Sequence, residues 1–343
     1  MLKANYKKYT LLFGQPAGTS RGVYTERDTW FIRIYDTENP EISGVGECAP
    51  LPGLSPELNL GFLDKLNEVC HRIERYNYPV SEGLEQYSSI RMGLESALLD
   101  YQRKSGNPVF STEFTEGKTG IKINGLIWLG KPDFMRKQVQ EKINQGYTCL
   151  KLKIGAIDFG TELSVIKDIR KNYTGEQIQI RVDANGAFTP DEAMLKLEAL
   201  AKYGVHSIEQ PIQPGNIKKM AYLCKESPVP IALDEELIRY YTVSEKHQLI
   251  NEVLPRYIIL KPSLHGSFTG CNEWINAAKS KNVDWWITSA LESNIGLNMI
   301  AQWTATYDNN MHQGLGTGQL YTNNFASPLF IKDGELRYDK NLE

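Results

Sequence analysis

The sequence predicts an α/β protein in which a closed barrel of parallel strands is joined to a smaller α+β domain. Three observations predict it. From about residue 120 onward, short apolar runs alternate with amphipathic helical stretches, as βα units of a parallel sheet do. Eight such runs fall within roughly 200 residues, which suits closure into a barrel better than an open sheet. At 343 residues the chain has room for that barrel and a partner domain.

The N-terminal third reads as β followed by α. TWFIRIYD (29–36) alternates like a half-buried strand, GECAPLPGLSPE (46–57) is a Pro/Gly-rich loop, and LGFLDKLNEVCHRIERY (60–76) has helical apolar spacing. A second helix runs through SSIRMGLESALLDYQRKSG (88–106), where Ile90, Leu94, Ala97, Leu98 and Tyr101 share one face. The barrel strands are read at KINGLIWL (122–129), CLKLKI (149–154), IQIRVD (178–183), HSIEQ (206–210), PIALD (230–234), YIILK (257–261), WWITSA (285–290) and the short HQGLG (312–316). Helical stretches such as FMRKQVQEKINQG, ELSVIKDIRKNY, DEAMLKLEALAKYG and CNEWINAAKSKN lie between them. The expected organisation is an α+β domain over 1–118, a barrel over 119–321, and a segment 322–343 that returns to the first domain.

Composition narrows the partners. A formal net charge of -3, with 23% charged and 41% hydrophobic residues, gives no reason to expect nucleic acid or an anionic membrane, so a small-molecule substrate is sought in local features. The five cysteines, at 48, 70, 149, 224 and 271, form no C-x-x-C pair and read as reduced thiols of a cytoplasmic protein. In MLKANYKKYTLLFG only Leu11, Leu12 and Phe13 form an apolar run, too short for a signal peptide, and no segment approaches the roughly 18 apolar residues of a membrane helix.

The chemistry starts in CLKLKIG (149–155), where Lys151 and Lys153 point to the same face of an apolar strand. Alone, such a pair fits a solvated edge strand. Yet Lys153, Asp183, Glu209, Asp234 and Lys261 end five successive strands, at intervals of 30, 26, 25 and 27 residues, close to one βα unit each. Any one of these acids could be a helix cap or turn residue; five charged strand ends in a row converge on one mouth of a barrel, where barrel active sites lie. Three gathered carboxylates repel unless a cation neutralises them, and an all-oxygen set suits Mg²⁺ better than zinc. A lysine becomes a base when neighbouring cations and partial desolvation lower its pKa from about 10.4, which gives the Lys151/Lys153 pair a chemical use.

Taken together, K-x-K, then D-x-N (Asp183, Asn185), E-Q-P (Glu209 to Pro211), D-E (Asp234, Glu235) and a lysine on the sixth strand resemble the muconate-lactonizing subgroup of the enolase superfamily. The resemblance spans essentially the whole chain. It implies an α+β capping domain over a modified (β/α)7β TIM-like barrel. It also implies Mg²⁺, with Mn²⁺ as a substitute, on Asp183, Glu209 and Asp234; Lys153 and Lys261 as catalytic residues; and Lys151, Arg181, Asn185 and Glu235 around them. The phrases PAGTSRG (16–22), GECAPLPGLS (46–55), INGLIWLG (123–130) and SALESNIG (289–296) resemble the branch that dehydrates 2-succinyl-6-hydroxy-2,4-cyclohexadiene-1-carboxylate to o-succinylbenzoate for menaquinone biosynthesis. In that branch Lys153 would remove the proton α to the ring carboxylate and protonate the departing hydroxyl. Lys261 would stabilise the anionic intermediate. Ser289 and the backbone of Gly314, Leu315 and Gly316 would hold the succinyl carboxylate.

Rivals remain. Racemisation of an N-acylamino acid or epimerisation of a dipeptide begins with the same proton abstraction. Dipeptide epimerases resemble one another in a D-x-D after the eighth strand; here that region reads GLGTGQLYTNN, without an acid. GLGTG is followed by no βαβ unit and so is not a dinucleotide fingerprint. A non-catalytic metal-binding barrel is the remaining alternative.

Overall fold

The computed structural model describes residues 1–19, 22–80, 83–103 and 108–342. Ser20 and Arg21 of PAGTSRG, Lys104 to Gly106 of the second helical stretch, and Glu343 of the C-terminal segment therefore lie outside the described residues. The chain begins with a three-stranded antiparallel sheet of β1 (Leu2–Thr19), β2 (Gly22–Asp36) and β3 (Ser43–Cys48) in that order. The long β1 was not foreseen, although Leu2, Ala4 and Tyr6 alternate with Lys3, Asn5 and Lys7 and pack on the domain core. Helices α1 (Phe62–His71) and α2 (Ser88–Gln102) cover this sheet, closing a core around Trp30, Ile32, Ile34, Leu66, Ile90 and Leu94.

The α2 helix is buried on nearly every side from Ser88 to Leu98 because it lies between the sheet and the barrel. Glycines let it approach: a Cβ on Gly46 would stand 1.9 Å from the Gly93 carbonyl oxygen. Toward the barrel, its Glu95 accepts from Ser267 Oγ at 2.6 Å.

After β4 (Ile121–Lys122) the chain enters seven parallel βα units. These are β5 (Gly125–Ile127) with α3 (Pro132–Asn144), β6 (Cys149–Lys153) with α4 (Phe159–Asn172), β7 (Gln179–Asp183) with α5 (Ala193–Ala201), and β8 (Ser207–Glu209) with α6 (Ile217–Glu226). Then follow β9 (Ile231–Leu233) with α7 (Val243–Val253), β10 (Tyr257–Leu260) with α8 (Ser267–Lys279), and β11 (Asp284–Ile287) with α9 (Asn294–Thr304). The sheet runs β5 to β11 in sequence order. It closes through Gln313 and Gly314, which bridge in parallel to Ile123 on one side and Thr288 on the other. The expected eighth strand is thus reduced to two residues, but it completes a (β/α)7β barrel. Leu150, Leu152 and Ile154 face the helical layer, and Lys151 and Lys153 take the opposite parity, into the barrel. The edge-strand reading of K-x-K fails because β6 is flanked by β5 and β7 and all five of its residues are buried.

The C-terminal segment divides. Thr322 donates its N–H to the Leu12 carbonyl and Asn323 Oδ1 accepts from the Leu12 N–H, so its first residues meet the N-terminal sheet. The hairpin β12 (Leu329–Lys332) and β13 (Glu335–Tyr338) instead pairs with β4, not with the N-terminal sheet as expected for 322–343. Among the described residues, no helix is long and apolar enough to cross a membrane.

Candidate active site

The five charged strand ends do converge. Register places Lys153 beside Asp183 and Asp183 beside Glu209, with Asp234 and Lys261 following β9 and β10. Lys153 Nζ lies 2.6 Å from Asp183 Oδ2 and donates to Asn185 Oδ1 at 2.8 Å. Lys151 Nζ reaches the same Asp183 oxygen at 2.9 Å and Glu209 Oε2 at 2.5 Å. Lys261 Nζ pairs with Asp234 Oδ2 and stands 3.8 Å from Glu209 Oε1. Asn185 donates to Glu235 Oε1 at 2.9 Å, which ties the ends of β7 and β9 together. Asn185 itself has a positive φ of 46°, a left-handed turn that suits asparagine.

Charge decides the protonation pattern. Burial acts to lower the Lys151 pKa, but Asp183, Glu209 and Asp234 outweigh it and hold the ammonium charged. The same contest, with Asp234 first among the attractive partners, raises Lys261. Burial would raise Asp183 and Asp234. Lys151 and Lys153 nevertheless drive Asp183 well below the usual carboxylate range, and Lys261 brings Asp234 down to about 2. Glu209, buried between two other carboxylates, is pushed up by burial and by Asp183, against the attraction of Lys151. Three lysine side chains thus face three acidic side chains, and the acids do not titrate alike: Asp183 and Asp234 are held down while Glu209 is pushed up.

Above them opens a cavity of about 540 Å³ whose walls include Lys151, Lys153, Asn185, Lys261, Ser289, Gly314 and Gly316. The capping side contributes Tyr24, Leu51 and Leu54. Lys153 and Lys261 stand four strands apart in an eight-membered barrel and so enter from opposite sides. Two expected site residues keep their side chains out of this cavity. The Leu315 side chain is buried in the apolar core, while Gly314 and Gly316 on either side of it line the cavity. Arg181 lies one layer below Asp183 in the barrel, where its guanidinium sits 4.0 Å over the Trp286 ring and donates to the His312 carbonyl.

Residues 134–341 match the family model described as Enolase C-terminal domain-like. The chain is 42% identical to o-succinylbenzoate synthase of Desulfotalea psychrophila over 98% of each chain. The crystal structure of MenC from Desulfotalea psychrophila superposes with a TM-score of 0.85 at 39% identity, covering 98% of this chain and 99% of that one. The chain belongs to the o-succinylbenzoate synthase family of the enolase superfamily. The fold is shared with more distant members of the superfamily. One is the dipeptide epimerase from Cytophaga hutchinsonii, solved with Mg and D-Ala-L-Val, at a TM-score of 0.81, 18% identity, and 98% and 93% coverage of this chain and that one.

Superfamily membership implies a divalent metal, and the donor chemistry can be tested against it. Among the described residues, no three acidic, histidine or cysteine side chains are already gathered around a common point, because the carboxylates turn onto the three lysines. The donors themselves fit: three buried carboxyl groups from consecutive strands make an all-oxygen set of the kind Mg²⁺ takes.

Several site residues escaped the sequence reading. Gln210, with φ of 38°, accepts from the backbone N–H of Asp234 and of Glu236 at 3.2 and 3.1 Å and so fixes the turn that carries Asp234. It stood inside the E-Q-P motif, where attention fell on the acid. Thr317 Oγ1 lies 2.7 Å from Ser289 Oγ. Asn124 Oδ1 and Thr288 Oγ1, on residues lining the cavity, are buried without a hydrogen-bond partner. Nothing in their sequence spacing marked them.

Proposed function

We propose that this protein is a Mg²⁺-dependent carbon–oxygen lyase that dehydrates 2-succinyl-6-hydroxy-2,4-cyclohexadiene-1-carboxylate to o-succinylbenzoate. The observation that carries the reading is the approach of Lys153 and Lys261 to one cavity from opposite sides, directly above three buried carboxylates. A divalent cation on Asp183, Glu209 and Asp234, Mg²⁺ or in its place Mn²⁺, supplies positive charge where negative charge grows on the ring carboxylate.

Lys153 acts as base on the ring proton α to the carboxylate and returns that proton to the departing hydroxyl, which leaves as water. Asn185, bonded to Lys153 Nζ and anchored on Glu235, aims the amine at the ring. Lys151 stays cationic and holds Asp183 and Glu209 in place. Lys261 faces the other side of the ring as a fixed cation beside the anionic intermediate. Ser289, Thr317 and the wall at Gly314 and Gly316 receive the succinyl carboxylate. The free thiols, four buried and Cys224 partly so, suit a reducing compartment such as the cytoplasm.

The opposed lysines also favour a second reading, racemisation of an N-succinylamino acid, in which each would serve one face. Ultraviolet-monitored turnover of the cyclohexadiene carboxylate with Mg²⁺, beside an EDTA control and polarimetry of an N-succinylamino acid, separates the two. Magnesium-dependent aromatisation is expected. Its absence alongside loss of optical rotation would replace the lyase by the racemase.

A further inference from the structure

Arg27, on β2, is 3% exposed although it lies far from the charged cluster in sequence. Its guanidinium joins two backbone segments that are 240 residues apart in numbering, 49–50 and 290–291. Nη1 donates to the carbonyls of Ala290 and Leu291, and Nη2 donates to those of Ala49 and, at 3.3 Å, Pro50. Both segments run into the cavity wall, as Leu51 and Leu54 on the capping side and as Ser289 to Leu291 on the barrel side. Beside the guanidinium, Leu51 and Leu54 pack with Ile238, Leu264 and Ala290 in a small apolar cluster of their own.

The 289–291 turn needs outside support. Leu291 has a φ of 64°, a region a leucine keeps only when its surroundings impose it. Its N–H donates to Ser289 Oγ at 3.0 Å, and its carbonyl accepts from Tyr321 Oη at 2.6 Å as well as from Arg27. The hydroxyl of Ser289 is therefore aimed by the same turn that Arg27 grips. A second tie runs parallel to it. Glu47 of β3 accepts from Ser293 N–H and Gly296 N–H, both at 3.0 Å, at the start of α9.

We propose that Arg27 is a positioning residue for substrate binding, a latch that seats the capping loop 49–54 and the 289–291 turn against each other and thereby sets the Ser289 side of the cavity. A planar guanidinium suits this because its fork reaches carbonyls on two sides at once. The kinetic part of the proposal rests on the lyase reading; the coupling of the two segments does not.

The test compares Arg27→Met and Arg27→Lys with the wild type in the full-length enzyme. It reads kcat and KM for the dehydration, and amide hydrogen exchange over 49–55, 289–293 and strands β6 to β8. In R27M, KM should rise about tenfold while kcat stays within about threefold, as expected for misplaced binding groups around intact chemistry. Exchange should quicken in both loop segments together and stay unchanged in the strands. R27K should recover part of both effects. Unchanged KM in R27M, or faster exchange in only one of the two segments, would overturn the proposal. If R27M does not fold, R27K decides: wild-type KM and wild-type exchange in that variant would equally overturn it. If the wild type itself fails to dehydrate the substrate, the lyase reading falls, and the exchange comparison still decides whether Arg27 couples the segments.

Discussion

Replacing Lys151 with methionine removes the positive charge that lies between Asp183 and Glu209. Its ammonium is 2.9 Å from Asp183 Oδ2 and 2.5 Å from Glu209 Oε2, and the three side chains are 7%, 0% and 3% exposed. Breaking a buried pair from one side costs about 3–5 kcal/mol, because the charge left behind stays buried without compensation. Here one ammonium serves two carboxylates, which places the expected loss toward the upper end. Methionine nearly matches the alkyl stem in length, so lost packing adds little. With a urea m-value of about 3 kcal/mol/M, the unfolding midpoint should fall by about 1–2 M. Fluorescence of the six tryptophans, followed through a urea titration in EDTA, measures it. Adding Mg²⁺ should raise the midpoint more in K151M than in the wild type, since a divalent cation supplies the charge that Asp183 and Glu209 have lost. A K151M midpoint equal to that of the wild type in EDTA would refute the reasoning, because it would mean that the two carboxylates do not depend on this lysine.

Three further outcomes are expected. Lys153→Ala should lower kcat by at least about 10³-fold while Mg²⁺ affinity, read by titration calorimetry, stays near the wild-type value; retained turnover would remove Lys153 as the base. Asp183→Asn should weaken Mg²⁺ binding by at least about tenfold in the same assay, and an unchanged affinity would withdraw it as a ligand. His206 and His312 are pushed down to about 4, first by burial and then by the Arg181 charge. They stay neutral in the fold but protonate near pH 6.5 when the chain unfolds, so the unfolded state binds more protons as pH drops from about 6.5 toward 4 and stability falls over that window. Urea midpoints between pH 7 and pH 4 should show the decline, with a shallower slope in a His206→Gln, His312→Gln double variant; an equal slope would assign the decline to other groups.

How much of the molecule could be read in advance depended on whether the signal was local. CLKLKIG, IQIRVD and YIILK are apolar runs that end in a charge, and each is a strand whose charged end reaches the site. HQGLG carried almost no periodicity, and only Gln313 and Gly314 pair, held by neighbours on both sides rather than by their own propensity. Arg181 shares the inward parity of Asp183, yet parity fixes the face and not the depth, and at its depth the guanidinium stacks on Trp286. Leu315 divides in a similar way: its glycine neighbours line the cavity while its own side chain faces the core. The pairing of β12 and β13 with β4 was not legible, because an antiparallel ladder depends on backbone groups that composition does not display.

By itself, then, the sequence determined the alternation of strand and helix, the five charged strand ends and the chemistry they can perform, since each follows from residue type and a spacing of one βα unit. The tertiary structure alone decided that the three lysines contact the three acids, that Gln210 fixes the turn carrying Asp234, and that Arg27 spans the capping loop and the turn after β11. Those contacts join residues on different strands or in different domains. Their geometry is set by barrel closure and by the seating of the cap, and neither leaves a periodic mark along the chain.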